Sequence, residues 1–262
     1  AMKQRTLTGV VLALLSMVLL GCFHLPWVPQ LIAILLGCGA VWEILGANGI
    51  RNKGSYAAGL FLAVIIPLFS LTEKVWWMAA ALVLGLGFFT YLMTRIGKQA
   101  PAWVAAPEIV LALSLYRGLA CYGEIPHGAF FLCLTGLICA LTDIFAYLVG
   151  SRFGRRKLAP KVSPGKSIEG ALGGLGITVV LIVLVFGRFF DDIGTLVLYT
   201  AVVSILGQFG DLSMSAVKRV AGVKDFGHIF PGHGGILDRC DSLMYPLAFT
   251  WLLYCAQIWI FV

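Results

Sequence analysis

The stretch AFFLCLTGLICALTDIFAYLVG, residues 129–150, runs straight into SRFGRRK, residues 151–157, and this junction decides the fold class. A helix needs about 20 predominantly apolar residues to cross a bilayer core, and this run is long enough. One carboxylate, Asp143, interrupts it, and Arg152, Arg155, Arg156 and Lys157 follow it. An apolar run closed by a cluster of cations reads as a spanning helix ending at the cytoplasmic surface, where lysine and arginine accumulate.

The rest of the chain repeats that pattern. Of 262 residues, 60% are apolar and only 12% are charged, and mean hydropathy is +0.96. A soluble domain carries about 25% charge, so most of this chain faces lipid or other apolar helices. Runs bounded by charge or turn residues fall at 6–23, 29–48, 55–71, 75–93, 102–121, 129–150, 169–187, 193–216 and 243–262. The expected fold is an all-α polytopic membrane protein of about nine transmembrane helices. It forms one domain, 1–262, with N-terminal helices over 6–128 and the chemistry carried over 129–262. With the N-terminus in the cytoplasm and the C-terminus on the opposite face, 16 of the 19 basic residues fall on one side. Lys74, Arg117 and Arg188 are the others. Such sorting follows the positive-inside rule and places the protein in a cell (inner) membrane.

Ala1 before Met2 reads as an added residue. Leu19-Leu20-Gly21-Cys22 imitates a lipoprotein cleavage box, but an uncleaved first helix explains the same residues. The seven cysteines contain no CxxC pair and read as small buried hydrophobes. The net charge of +7 follows from the topological bias and attracts anionic lipid headgroups. No nucleic-acid partner is implied, because the cations lack interleaved exposed aromatics and a soluble binding fold.

Carboxylates inside spans are costly and mark function by default. Glu43, Glu108, Asp143 and Asp211 are the four here, each toward the cytoplasmic end of its span. Glu43 and Glu108 serve equally well as structural acids. Asp143 and Asp211 each open into a polar loop, 151–168 and 217–242. The first loop carries Arg155, Ser163 and Lys166 among six cations, serines, glycines and prolines, a set suited to a phosphate-bearing ligand. In the second, helical spacing puts Asp211, Ser215 and Lys218 with Arg219 near one face. A helix starting near Leu237 puts Asp238 and Asp241 one turn apart. Carboxylates without His or Cys partners favour a hard cation, Mg2+ or Mn2+, and Lys218, Arg219, Lys224 and Arg239 would neutralise a polyphosphate. That is the inventory of phosphoryl or nucleotidyl transfer. His233 stands out as an acid/base candidate, with shaping the loop as its competing role.

The pattern Ser215-x-x-Lys218-Arg219-x4-Lys224-Asp225-x-Gly227-x3-Pro231-Gly232-His233-Gly234-Gly235-x-Leu237-Asp238-Arg239-x-Asp241 resembles the signature of the phosphatidate cytidylyltransferase (CDP-diglyceride synthase) family. The segment Asp143 through Gly170 looks like that family's second polar region. The resemblance implies CTP and phosphatidic acid as substrates, CDP-diacylglycerol and pyrophosphate as products, and a requirement for Mg2+. It implies Asp211 and Asp238 as metal ligands, with Asp241 and then Asp143 behind them, and leaves room for a second, monovalent cation. Ser215, Lys218, Arg219, Lys224 and Arg239 become phosphate contacts, with Ser163, Lys166, Arg155, Gly234 and Gly235 also on the substrate side.

Related CTP-using lipid enzymes, a polyprenol kinase or an archaeal-lipid cytidylyltransferase, are the nearest alternatives. A CDP-alcohol phosphotransferase is excluded by the absence of its DGxxAR…GxxxDxxxD motif. An ion-coupled transporter needs polar groups along a full transmembrane path, whereas these crowd one face. Gly170-x-x-x-Gly174 permits close helix packing, within the chain or in a homodimer.

Overall fold

In lipid, backbone amides must be satisfied within the chain, and apolar runs therefore close their hydrogen bonds as helices. The computed structural model describes residues 27–68, 75–95, 104–125, 127–227 and 234–256, with positions 18, 21, 22, 25 and 229 besides. Its helices are α1 (Trp27–Ala47), α2 (Lys53–Leu68), α3 (Val75–Arg95), α4 (Ala105–Cys121) and α5 (Gly128–Phe153). After a β-hairpin come α6 (Ile168–Phe186), α7 (Ile193–Val220), the single turn α8 (Leu237–Cys240) and α9 (Met244–Cys255). The expected span 6–23 lies outside the described residues apart from positions 18, 21 and 22, as does 257–262 at the end of the last.

By length and composition, α1, α5, α6 and α7 are apolar enough to cross a membrane, with α2 and α9 shorter apolar helices. Phe61, Leu84, Tyr147, Leu172, Leu184 and Leu198 are between 64% and 75% exposed. A surface this rich in large apolar side chains is suited to lipid rather than water. The chain is a largely helical membrane protein.

Inside, α1 packs on α2 and α4, while α9 packs on α4, α7 and α3. The tightest pair is α5 with α6. A Cβ added at Gly170 would stand 2.6 Å from the Ala146 carbonyl oxygen, and one at Gly174 2.7 Å from that of Thr142. The Gly170-x-x-x-Gly174 stripe is thus used within the chain, bringing two backbones into contact.

Buried hydroxyls then fix the helices in register. The Thr142 hydroxyl on α5 hydrogen-bonds the hydroxyls of Ser204 on α7 at 3.0 Å and Thr178 on α6 at 3.5 Å. Tyr199 on α7 shares hydrogen bonds with Thr135 of α5 at 2.7 Å and Thr250 of α9 at 3.0 Å. Interhelical bonds of this kind contribute about 0.6 kcal/mol each on average, reaching roughly 1.7. The residue beside Thr142 is Asp143, so this network also sets the height of that carboxylate.

The segment 151–168, expected as a loop, contains the antiparallel strands β1 (Lys157–Ala159) and β2 (Ser163–Ser167). The Glu169 carboxylate, at the start of α6, reaches back to accept from the Arg155 and Arg156 amides at 3.0 and 3.1 Å. It closes the chain reversal that begins the hairpin. At the tip, Val162 is fully buried and Ala159 nearly so, in one cluster with Met214, Val217 and Val220 of α7. Arg219 locks this contact by donating from Nε to the Val162 carbonyl at 3.1 Å.

Ser167 ends β2 and caps α6, its Oγ accepting from the Gly170 amide at 3.1 Å. Loss of such a cap costs about 1 kcal/mol. Ser167→Ala should therefore lower the unfolding midpoint in detergent by about 2–4 °C, as followed by differential scanning fluorimetry.

Candidate active site

The hairpin roofs a cleft of about 560 Å³ walled by α5, both strands, α6, α7 and α8. Asp143 and Tyr147 project from α5, Ser163 and Lys166 from β2, Asp211 from α7, and Asp238 from α8. Asp241, just beyond α8, completes the lining. The four aspartates that the sequence singles out as possible ligands thus share one cavity.

Two features make this convergence possible. α7 continues past the expected residue 216 to Val220, so Asp211, Ser215 and Lys218 stay on one helix. α7 also carries glycines where the chain after α8 crosses it. A Cβ at Gly210 would stand 2.4 Å from the Asp241 carbonyl oxygen, and one at Gly207 3.3 Å from that of Ser242. Without side chains there, the backbone at 241–242 lies flat on α7 and Asp241 comes up beside Asp211.

The carboxylates are held by different partners. Asp211 pairs through Oδ2 with the Lys166 ammonium, and its Oδ1 accepts from Ser215 Oγ at 3.3 Å. Asp238 accepts from Lys218 Nζ through Oδ1 at 2.8 Å. Its Oδ2 accepts from the amides of Phe226 at 2.9 Å and Gly235 at 3.0 Å. Burial pushes the Asp238 carboxyl up, but Lys218 and these two amides outweigh it and hold the group below the usual carboxylate range. Asp241 is pushed up to about 7, first by burial and then by repulsion from Asp211, against the pull of Lys218. Four aspartates line the cleft and, among the described residues, only Asp211 and Asp238 are paired with an ammonium, which leaves this end short of positive charge, a field that attracts a cation.

The other expected residues are distributed more widely. Lys166 and Ser163 line the cleft, and Ser215 and Lys218 support its floor through Asp211 and Asp238. Arg219, expected on phosphate, donates to the carbonyls of Val162 and Val223 and braces the hairpin. Lys224 and Arg239 are exposed and stand outside the cleft lining. Arg155 is exposed in a separate depression with Arg152, Arg156 and Glu169. Gly234, at φ +83°, and Gly235 wrap the Asp238 carboxylate rather than line the cavity. His233 lies outside the described residues.

Tyr147, Ser167 and Gln208 line the cleft without having been singled out. An eye for polar residues one helical turn from an aspartate finds two of them, Tyr147 after Asp143 and Gln208 before Asp211. Glu108 pairs with Asn48 at 2.9 Å away from this cavity. Glu43 does not line it either, but binds the turn that carries Asp238. Among the described residues, no three His, Cys, Asp or Glu side chains form a ready-made metal cage. Four carboxylates around one polar cleft nevertheless match in donor type a hard cation that retains water and substrate oxygens as ligands.

Residues 3–256 match the sequence pattern of the cytidylyltransferase family. A phosphatidate cytidylyltransferase of Staphylococcus haemolyticus is 37% identical over 257 residues, covering 94% of this chain and 96% of its own. Phosphatidate cytidylyltransferases of Staphylococcus epidermidis and Staphylococcus aureus are each 35% identical, over 254 and 257 residues, with the same coverage.

Proposed function

The chain belongs to the cytidylyltransferase family, and from that membership we propose that it transfers the CMP moiety of CTP to phosphatidic acid. The products are CDP-diacylglycerol and pyrophosphate. One observation supports this reading above the others: a single cleft brings together Asp143, Asp211, Asp238 and Asp241 beneath a hairpin that carries Ser163 and Lys166. Its setting is the cytoplasmic face of the cell membrane, where CTP and a lipid headgroup can both reach it.

A phosphate oxygen of phosphatidate attacks the α-phosphorus of CTP. The new P–O bond forms as the α–β bridging P–O bond breaks, and pyrophosphate leaves with that bond's electron pair. The attacking phosphate is already anionic, so no strong general base is needed. The chain's work is to position two anions and offset their repulsion. Lys166, freed from Asp211, supplies a mobile cation within the cleft, and Ser163 offers a hydroxyl donor beside it. Asp211 and Asp238 would hold Mg2+ or Mn2+, with Asp241 and Asp143 in support. The ion's contribution is charge neutralisation at phosphate oxygens.

Purified protein given radiolabelled CTP, phosphatidate and Mg2+ should yield labelled CDP-diacylglycerol on thin-layer plates. EDTA should abolish that product and excess Mg2+ restore it. Turnover of a polyprenol or an archaeal-type lipid, with none of phosphatidate, would overturn the assignment.

A further inference from the structure

We propose that Glu43, on α1 and remote in sequence from the cleft, is a positioning residue for Asp238 and through it for the cation site. The inference rests on the functional reading above.

Three consecutive amides of the turn before Asp238 are held by two carboxylates. The Gly235 amide donates to Asp238 Oδ2 at 3.0 Å. The Ile236 amide donates to Glu43 Oε1 at 2.7 Å, and the Leu237 amide to Glu43 Oε2 at 2.8 Å. Both oxygens of Glu43 are therefore engaged with the backbone that leads into Asp238. That backbone belongs to a helix of one turn, which has too few internal hydrogen bonds to fix its own orientation.

The surroundings are shaped to this carboxylate. Glu43 is only 2% exposed. A Cβ at Gly235 would stand 2.3 Å from its Oε1, and one at Gly227 2.8 Å. Two signature glycines thus pack directly on a side chain from another part of the sequence. Gly39, one helical turn before Glu43, receives Ile236 in the same way, a Cβ there falling 2.5 Å from its Cδ1. With the turn fixed from the α1 side, Asp238 keeps Oδ2 on the Gly235 and Phe226 amides and presents Oδ1 toward Lys218. An ordinary buried acid needs partners, but not two adjacent amides of the segment bearing a cleft carboxylate.

Residues that orient a metal ligand from behind typically affect metal affinity by about 10–100-fold. Glu43→Gln preserves shape but turns one acceptor into a donor facing an N–H group. It should raise the Mg2+ concentration for half-maximal turnover by about 10-fold or more. The Mg2+-induced rise in unfolding midpoint, read without substrates, should need correspondingly more Mg2+. Gly227→Ala, which displaces the carboxylate while retaining it, should shift both readouts in the same direction. The double variant should match the stronger single variant rather than multiply the two effects. Lower thermal stability with an unchanged Mg2+ dependence in both single variants would reduce Glu43 to a structural acid and overturn the inference. If wild-type protein fails to turn over CTP and phosphatidate, the functional reading falls instead, while the substrate-free Mg2+ titration still judges Glu43.

Discussion

Asp211→Asn should reduce CTP-dependent turnover by at least roughly 100-fold, the scale of losing one preorganised electrostatic group in an active site, while the protein folds as wild type does. The two halves of that expectation have separate grounds. Asp211 and Lys166 have side chains 26% and 28% exposed, so their ion pair is partly hydrated and contributes about 0–1 kcal/mol to stability. Asparagine keeps an acceptor for Ser215 and fills the same volume. What disappears is the negative charge facing Asp241 and Asp143 across the cleft, which the proposed chemistry needs for its cation. Unfolding midpoints within a few degrees of wild type, beside lost product formation, would fit this picture. Wild-type turnover in the variant would remove Asp211 from the site.

Asp238→Ala should fail in both respects. The Lys218–Asp238 pair is deep, with side chains 11% and 4% exposed. Removing the carboxylate leaves a buried ammonium without its counterion, at a cost of about 3–5 kcal/mol. It also strips the Phe226 and Gly235 amides of their acceptor. The unfolding midpoint should fall by on the order of 10 °C, and turnover should be lost. Adding Lys218→Met removes the stranded charge. The double variant should regain a large part of the lost stability and none of the activity. A double variant no more stable than Asp238→Ala would show that the amides, not the ion pair, make Asp238 structurally necessary. The two aspartates thus differ in kind: one serves the cleft, and the other serves both the cleft and the fold.

Much of this contrast was beyond the reach of the sequence. Apolar length and flanking charge are local quantities, so the helices at 27–47, 128–153, 168–186 and 193–220 follow the expected runs closely. The grouping of Asp211 with Ser215 and Lys218 was legible for the same reason, since helical spacing alone aligns them. The hairpin at 157–167 was not. Its strands are three and five residues long, too short for an alternating pattern, and Pro160 and Pro164 argue for loop. What stabilises it is the docking of Ala159 and Val162 on α7, a tertiary contact. The same limit hid the acceptor of Arg219, a carbonyl 57 positions earlier. Gly207 and Gly210 matter because of the chain that crosses them, and composition cannot reveal a crossing.

The hydrogen bond from the Ile236 amide to Glu43 spans 193 positions, which bears on how the protein is made. Translation at about 5–20 residues per second separates the emergence of the two partners by about 10–40 s. Through that interval the nascent chain carries a carboxylate in its membrane segment with neither amide in place. Glu43 sits four residues before the end of α1, about 6 Å at the helical rise, within reach of interfacial water. Hydration can shelter it there until the last part of the chain is delivered. Placed at the middle of α1, the same group would burden every stage of insertion before the final one.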